Sequence, residues 1–198
     1  MLVTSQLHQL YQSFSTESGK IIEQPQIAFE QYGLNDGPVI VLAHGGLSNH
    51  HAAGRYNESD VMPGWWHDLV GEGKVFDTSK YRIISTNALG SMYGTSSALT
   101  INPTTGNKYG PSFPTVTMVD QAKFLYRFLK ELGIKQVEIM AGPSMGSLLT
   151  LQMAALYPDF IGKAIAVATA GRMTPDGLAM HHFMINTIKM DADFNHGD

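Results

Sequence analysis

The residues best suited to chemistry are Gly142-Pro143-Ser144-Met145-Gly146. A serine hydroxyl is a weak nucleophile, and it reacts only when it is held exposed beside a base. A Gly-x-Ser-x-Gly turn between a strand and a helix holds it in this way. The glycines two residues before and after the serine remove side chains that would clash in the sharp turn. Ser144 is therefore the candidate nucleophile of an acyl-transfer reaction.

The segments on either side of Ser144 have the patterns that such a turn needs. Residues 137–141 form a short apolar run typical of a strand, and residues 145–157 carry apolar side chains at helical spacing. The five-residue pattern alone is common and can be a chance loop, but this context favours a working nucleophile. The helix would also point its N-terminus at the site, where its partial positive charge stabilises a developing oxyanion.

An oxyanion hole needs two backbone N–H donors. The N–H of Met145, directly after the nucleophile, is the first. The second is expected from the loop after an early apolar strand, residues 44–47 (His-Gly-Gly-Leu). We expect the N–H of Gly46 to take this role, with Leu47 as the alternative, although the glycines could serve only to make a tight turn. His44 precedes the nucleophile, where this arrangement places no base, and is expected to be structural.

The remaining apolar patterns predict a chain in which strands alternate with helices. Strands are predicted over residues 27–32, 39–43, 81–87, 137–141 and 164–170, and helices over residues 115–132, 145–157 and 176–190. This alternation predicts an α/β domain with a mostly parallel sheet and helices on both faces. Together with the serine turn it indicates the α/β-hydrolase fold. The last strand is expected to be buried.

The chain divides into three predicted regions. Residues 1–24 are polar and weakly patterned, which suggests a flexible lead-in with a short helix around residues 7–14. Residues 25–175 form the predicted core, and residues 176–198 the start of a lid. The core includes a long stretch rich in Gly, Ser, Thr, Pro and Asn, residues 88–114, and a loop of that length is usually functional.

Composition excludes several classes of function. The 198 residues carry a net charge of −4 with no run of Lys or Arg, which argues against nucleic acid as a partner. There are no cysteines, so disulfides and thiolate metal sites are excluded. The adjacent pairs His50-His51 and His181-His182 are not expected to bind metal, because neighbouring side chains point in different directions. The absence of a signal pattern and of a long apolar run predicts a soluble cytoplasmic protein without membrane partners.

The stretch from Leu42 to Arg172 resembles the homoserine O-acetyltransferase (MetX-type) family of α/β-hydrolase-fold enzymes. The matching motifs are His51-Ala52-Ala53-Gly54, Gly64-Trp65-Trp66, residues 73–78 followed by Tyr81, Asn87-Ala88-Leu89-Gly90, Gly94-Thr95-Ser96, residues 102–106, Tyr109-Gly110, Phe113-Pro114, Asp120-Gln121 and Ser144-Met145-Gly146. Together they are far more specific than the serine turn alone.

The resemblance implies a ping-pong reaction that belongs to methionine biosynthesis. The serine takes an acyl group from acetyl-CoA or succinyl-CoA and passes it to the hydroxyl of homoserine. The implied partners are therefore small molecules, with acyl-CoA as co-substrate and no resident cofactor or metal. The family also implies homodimerisation in the complete protein.

The sequence departs from the family pattern in three places. Residues 44–48 read His-Gly-Gly-Leu-Ser where the family usually has His-Ala-Leu-Thr-Gly or similar. Residues 181–186 read His-His-Phe-Met-Ile-Asn where the family typically has a helix carrying Asn-Glu-x-x-Arg-Gln. The chain also ends at Asp198, before the strands that normally precede the triad Asp and His.

The fold orders its triad as Ser, then Asp, then His. The available candidates after Ser144 are Asp176, Asp191, Asp193, Asp198, His181, His182 and His196. None follows a recognisable strand, so we expect the triad Asp and His to lie beyond Asp198 in a longer protein. This chain alone is then expected to be nearly inert. A serine esterase or thioesterase, and a catalytically incomplete product, are the alternative interpretations.

Overall fold

The computed structural model describes residues 1–194. Its strands are β1 Gln6–Gln9, β2 Phe14–Ser15, β3 Ile21–Ile22, β4 Gln26–Gly33, β5 Val39–Ala43, β6 Val70–Gly71, β7 Phe76–Asp77, β8 Arg82–Thr86, β9 Val137–Pro143 and β10 Ile161–Val167. Its helices are α1 Met118–Glu131, α2 Met145–Leu156 and α3 Pro175–Lys189, with a short 3₁₀ turn at Gly110–Ser112.

Six strands form one sheet in the order β1-β4-β8-β5-β9-β10. The first two pairings, β1 with β4 and β4 with β8, are antiparallel. The other three are parallel, as the sequence pattern predicts. Every residue of the central strand β5 is buried. Because β5 and β9 are parallel neighbours, the loop after β5 and the serine turn after β9 emerge side by side.

The two faces of the sheet are covered differently in the described residues. Alternate residues of β5 point to opposite sides, with Val39 and Val41 in one apolar cluster and Ile40 and Leu42 in the other. Helices α1 and α2 pack on the first cluster. The second is covered by the irregular segment 44–77, whose β6 and β7 are only two residues each. Within residues 1–194, helices therefore cover one face and the irregular segment covers the other.

Helix α1 begins at Met118, three residues later than the sequence predicts, and its N-terminus has a capping box. Thr117 Oγ1 accepts a hydrogen bond from Asp120 N at 3.1 Å, and Asp120 Oδ2 accepts one from Thr117 N at 3.0 Å. Asp120 is buried and also accepts a hydrogen bond from Glu17 N at 2.8 Å. Gly133, at φ +76°, follows the last turn, where a left-handed glycine ends a helix.

The short helix predicted around residues 7–14 is wrong, because residues 6–9 form strand β1 and residues 14–15 form β2. Strand β1 pairs with β4, and a sheet edge offers hydrogen bonds that a local sequence pattern does not reveal. Leu10, Phe14 and Ile22 are buried in the core. The region predicted as a flexible lead-in therefore contributes both a strand and core side chains.

Strand β10 also differs from the prediction of a buried strand over residues 164–170. It spans Ile161–Val167, and most of its residues are exposed. In the described residues it pairs only with β9, so it is an edge strand. The apolar run that suggested full burial reflects residues such as Ile165 and Val167, which lie at the surface here. Helix α3 likewise has no buried side chain.

Candidate active site

Ser144 lies at the junction of β9 and α2 in a strained backbone conformation. Its φ is +51° and its ψ is −119°, which a residue with a side chain rarely adopts. The turn is held by a hydrogen bond from Ser144 N to Val167 O at 3.0 Å and by one from Ser147 N to Ser144 O at 2.9 Å. The side chain is exposed. This is the geometry that a nucleophile elbow requires.

The two glycines of the motif are needed because two backbones cross at this point. A Cβ at residue 146 would lie 2.1 Å from Ala43 O and 2.8 Å from His44 O. A Cβ at residue 142 would lie 2.7 Å from Ala43 O. No side chain fits at either position without moving backbone atoms. The start of α2 therefore rests directly on the end of β5, which fixes Ser144 relative to the loop that follows β5.

That loop reaches the nucleophile, as the sequence predicts. A Cβ on Gly45 would lie 3.8 Å from Ser144 Cβ, in ordinary van der Waals contact. One cleft beside Ser144 is lined by Gly45, Gly46, Leu47, Ser48, Trp65 and Pro143. Within residues 1–194 the N–H groups of Gly46 and Leu47 have no hydrogen-bond acceptor. Both are free to serve as the second oxyanion donor beside Met145 N, so that assignment stays a prediction.

His44 is buried, and both of its ring nitrogens are occupied. Nδ1 donates a hydrogen bond to Gly45 O at 2.7 Å, and Nε2 accepts one from Ala88 N at 3.0 Å. Burial lowers the pKa of His44, which favours this neutral form. The ring thus connects residues 44–48, called here the oxyanion loop, with the segment after β8. His44 therefore has a structural role and is not the catalytic base.

A second cleft beside Ser144 is lined by Leu148 and by residues 168–174. Arg172 is the one charged side chain among the described residues that line it. Among residues 1–194, no histidine or carboxylate lines either cleft. The triad candidates on and after α3 are exposed and lie elsewhere: Asp176, His181, His182, Asp191 and Asp193. His196 and Asp198 lie outside the described residues.

The adjacent histidines point to different partners. His50 Nε2 lies 2.6 Å from Ser5 Oγ, whereas His51 Nδ1 lies 3.1 Å from Glu30 Oε1. His181 Nδ1 contacts Gly177 O in its own helix at 2.8 Å. Across residues 1–194, no group of three or more His, Cys, Asp or Glu side chains lies close enough together to hold a metal ion.

Two residues near the site have positions that the sequence did not predict. Trp65 lines the cleft of Ser144 and donates its indole N–H to Asn49 O at 2.8 Å. Glu30 lies fully buried in β4 and binds side chains of the segment that follows the oxyanion loop. The sequence could have indicated Glu30 only because it is the single carboxylate among residues 27–32, which are otherwise mainly apolar or amide side chains.

Comparison with known proteins agrees with this geometry. The model of the α/β hydrolase fold family matches residues 38–196. The chain belongs to this family. The predicted fold class is therefore confirmed.

Several relatives of this chain are named as homoserine O-acetyltransferases. The protein of that name from Deferribacter desulfuricans is 40% identical over 188 residues, which is 93% of this chain and 50% of the relative. The crystal structure of homoserine O-acetyltransferase from Bacillus anthracis is 28% identical with a TM-score of 0.91, and covers 100% of this chain and 55% of that one. These matches confirm the resemblance predicted from the motifs.

Esterases are also among the similar structures. The crystal structure of esterase E22 is 32% identical with a TM-score of 0.91 over 99% of this chain and 55% of that one. The chain thus spans about half the length of the relatives that it matches. Among residues 1–194, no helix has the length and apolar character needed to cross a membrane.

Proposed function

We propose that this chain carries the nucleophile and the oxyanion hole of an acyltransferase that moves an acyl group from acyl-CoA to a homoserine-type hydroxyl. The observation that carries the proposal is the strained, exposed Ser144 fixed against the oxyanion loop by Gly142 and Gly146. The similarity to proteins named homoserine O-acetyltransferase supports the choice of reaction.

In the proposed reaction Ser144 Oγ bonds to the thioester carbonyl carbon as its proton passes to a histidine base. The resulting oxyanion receives hydrogen bonds from Met145 N and from Gly46 N or Leu47 N. Collapse of this intermediate breaks the C–S bond, and the CoA sulfur takes the proton. The acceptor hydroxyl then attacks the acyl-serine in the same way and releases Ser144.

The base and its orienting carboxylate are proposed to come from sequence that corresponds to the other half of the relatives. Two observations support this proposal. No histidine or carboxylate among residues 1–194 lines the clefts beside Ser144. The relatives are also about twice as long as the matched region. Activity is therefore expected from the longest open reading frame that contains this chain rather than from the chain alone.

Arg172 is proposed to bind the acceptor's carboxylate. It lines the second cleft beside Ser144 and is the charged residue there. It has no ion-pair partner within residues 1–194, so a substrate anion would not compete with an internal carboxylate. A guanidinium can bind a carboxylate through two parallel hydrogen bonds, which would orient an amino-acid acceptor.

The test is the release of CoA from acetyl-CoA and from succinyl-CoA, with and without homoserine, by the longest open reading frame and by its Ser144→Ala variant. We expect release to require homoserine and to disappear in the variant. Equal release without any amino-acid acceptor would contradict a transferase. Comparison of the two donors identifies the acyl group.

An esterase is the second candidate function, in which water takes the place of the acceptor. It is favoured by the similarity to esterase E22. It is also favoured by His44-Gly45-Gly46, because HGGG-type oxyanion loops occur in lipases and esterases. The same assay separates the two functions when p-nitrophenyl acetate is added as a second substrate. Fast ester hydrolysis that homoserine does not alter would support the esterase.

A further inference from the structure

A buried polar cluster lies behind the oxyanion loop and is centred on Glu30 of β4. The Glu30 side chain has no exposed surface. Its two oxygens accept hydrogen bonds from the hydroxyl of Tyr32, from Tyr56 Oη at 2.7 Å and from His51 Nδ1 at 3.1 Å. The His51 ring stacks on Tyr56 with 4.2 Å between ring centroids. One carboxylate thus gathers three side chains, two of which follow the oxyanion loop.

The direction of the hydrogen bonds in this cluster is fixed by Tyr32. Its hydroxyl accepts hydrogen bonds from Ala52 N at 3.0 Å and Ala53 N at 3.1 Å. These two bonds use both lone pairs of the oxygen, so the hydroxyl proton must go to Glu30. Burial and the nearby Glu30 carboxylate raise the pKa of Tyr32, which keeps that proton in place. Glu30 therefore holds the backbone of residues 52–53 through Tyr32.

The held segment is connected to the cleft of Ser144 by Trp65. Trp65 N donates to His51 O at 3.2 Å, and its indole N–H donates to Asn49 O at 2.8 Å. The preceding Gly64 packs so closely on Ala52 that a Cβ would lie 2.3 Å from its carbonyl carbon. The Trp65 side chain then lines the cleft that contains Gly46 and Leu47. A continuous series of contacts therefore connects Glu30 with the cleft beside Ser144 that Trp65, Gly46 and Leu47 line.

We propose that Glu30 is a positioning residue that holds the loop after β5 so that its free N–H groups face Ser144. Glu30 acts through Tyr32, His51 and Trp65 and touches no reacting atom. The catalytic part of this inference rests on the proposed acyl-transfer function. Burying a carboxylate here is costly unless it accepts a hydrogen bond from each donor around it. Two of its three donors, His51 and Tyr56, come from the segment being held, and the third, Tyr32, binds the backbone of that segment.

Glutamine cannot replace Glu30 without rearranging the hydrogen bonds of the cluster. Its amide supplies one oxygen acceptor and one N–H₂ donor. Tyr32 has no free lone pair, so it must donate to the single oxygen. The N–H₂ group then faces the donors Tyr56 and His51, at least one of which has to reverse its role. The Glu30→Gln variant keeps the size of the side chain but loses the fit of its hydrogen bonds.

The two tryptophans of the chain give a direct readout of this segment. Trp65 and Trp66 are its only tryptophans, so all tryptophan emission comes from the region that Glu30 holds. In Glu30→Gln we expect the constant for quenching of tryptophan fluorescence by acrylamide to rise at least about twofold, because the segment loosens and the quencher gains access. Tyr56→Phe removes one donor near the surface and should give a smaller change of the same sign.

Asp120→Asn is the matched control, because Asp120 is also a buried carboxylate that accepts hydrogen bonds from a loop and a helix cap. It should lower the stability of the fold while leaving tryptophan quenching unchanged. If Glu30→Gln and Asp120→Asn change quenching equally, Glu30 is an ordinary structural residue and the proposal fails. If Glu30→Gln does not fold, the Tyr56→Phe result decides.

The catalytic readout uses the longest open reading frame. We expect Glu30→Gln to lower kcat for acyl transfer by about 10²-fold, the effect of losing one oxyanion donor, with KM for acetyl-CoA changed less than twofold. Asp120→Asn should retain kcat. A loosened segment with unchanged kcat would overturn the positioning role. If the unmodified enzyme transfers no acyl group, the proposed function fails, and the quenching comparison still decides whether Glu30 holds the loop.

Discussion

The two walls beside Ser144 are built in opposite ways. The loop wall, formed by residues 45–48 and Trp65, is backed by buried polar side chains, His44 directly and Glu30 through its contacts. The outer wall, formed by residues 168–174, follows the edge strand β10 and leads into α3, whose side chains are all exposed. The loop wall, which carries the proposed oxyanion donors, is thus held by buried side chains in this part of the fold. Among the described residues, the outer wall carries no histidine or carboxylate.

The largest expected effect comes from adding a methyl group beneath the loop wall, at Gly146, and the same change at Gly171 in the outer wall is its control. Gly146→Ala should prevent stable folding, because its Cβ would lie 2.1 Å from Ala43 O and only backbone movement could relieve the clash. We expect a loss of at least about 3 kcal/mol in the free energy of unfolding. Gly171→Ala on the outer wall meets no atom within 4 Å and should change it by less than about 0.5 kcal/mol.

Urea unfolding followed by circular dichroism measures both variants. Equal stability of the two would show that the crossing of β5 and α2 is not a tight backbone contact. The comparison between the walls would then lose its structural basis.

The second prediction concerns the reactivity of Ser144 in this chain. Without a base on the outer wall, labelling by a fluorophosphonate probe should be weak or absent, at least about 10³-fold slower than in a complete serine hydrolase. Labelling is measured by gel fluorescence, with a known serine hydrolase as the positive control and Ser144→Ala as the blank. Strong labelling that disappears in Ser144→Ala would mean that the chain itself supplies a base. Weak labelling in the longest open reading frame as well would favour a catalytically incomplete product.

The loop wall and the outer wall also differ in how well the sequence predicts them. The elbow was predictable because its signal is local: the strand at Val39–Ala43, the glycines at 142 and 146 and the helical spacing after Ser144 all appear in the structure. The role of Glu30 was missed because two of its partners, His51 and Tyr56, lie more than 20 residues further along the chain, and only the folded structure brings them together. The burial predicted for β10 was wrong because a strand's apolar run does not tell whether a neighbouring strand is present.

The third prediction tests the neutral, buried state of His44. Its pKa is lowered in the folded chain from an ordinary value of 6.5. Below pH 6.5 the unfolded chain therefore binds a proton that the folded chain does not, and stability falls as the pH decreases further. The stability gained by keeping His44 neutral is fully present above the unfolded pKa. Between pH 7.5 and 5.5, its loss lowers the free energy of unfolding by at most about 1.4 kcal/mol.

His44→Asn should be less stable than the parent chain at pH 7.5 by about 1–3 kcal/mol, because Gly45 O or Ala88 N loses its partner. It should also be less sensitive to pH, so the gap between the two narrows at pH 5.5. Urea titrations at both pH values measure this. Burial lowers the pKa of His50 as well, so His50→Asn serves as the comparison. An unchanged gap for His44→Asn would argue that His44 is not held neutral.

The smallest expected effect lies on the outer wall and concerns recognition rather than stability. Arg172→Ala should leave the free energy of unfolding within about 0.5 kcal/mol, because the side chain is exposed and unpaired in the described residues. In the longest open reading frame it should raise KM for homoserine about tenfold, the value of one charged hydrogen bond, with kcat nearly unchanged. Hydrolysis of p-nitrophenyl acetate, which has no carboxylate, should not change.

Lys163→Ala, which removes an exposed cation of β10 outside the clefts, is the matched control. If both variants raise KM equally, general charge rather than Arg172 attracts the acceptor. The outer wall would then contribute no specificity in this half of the fold.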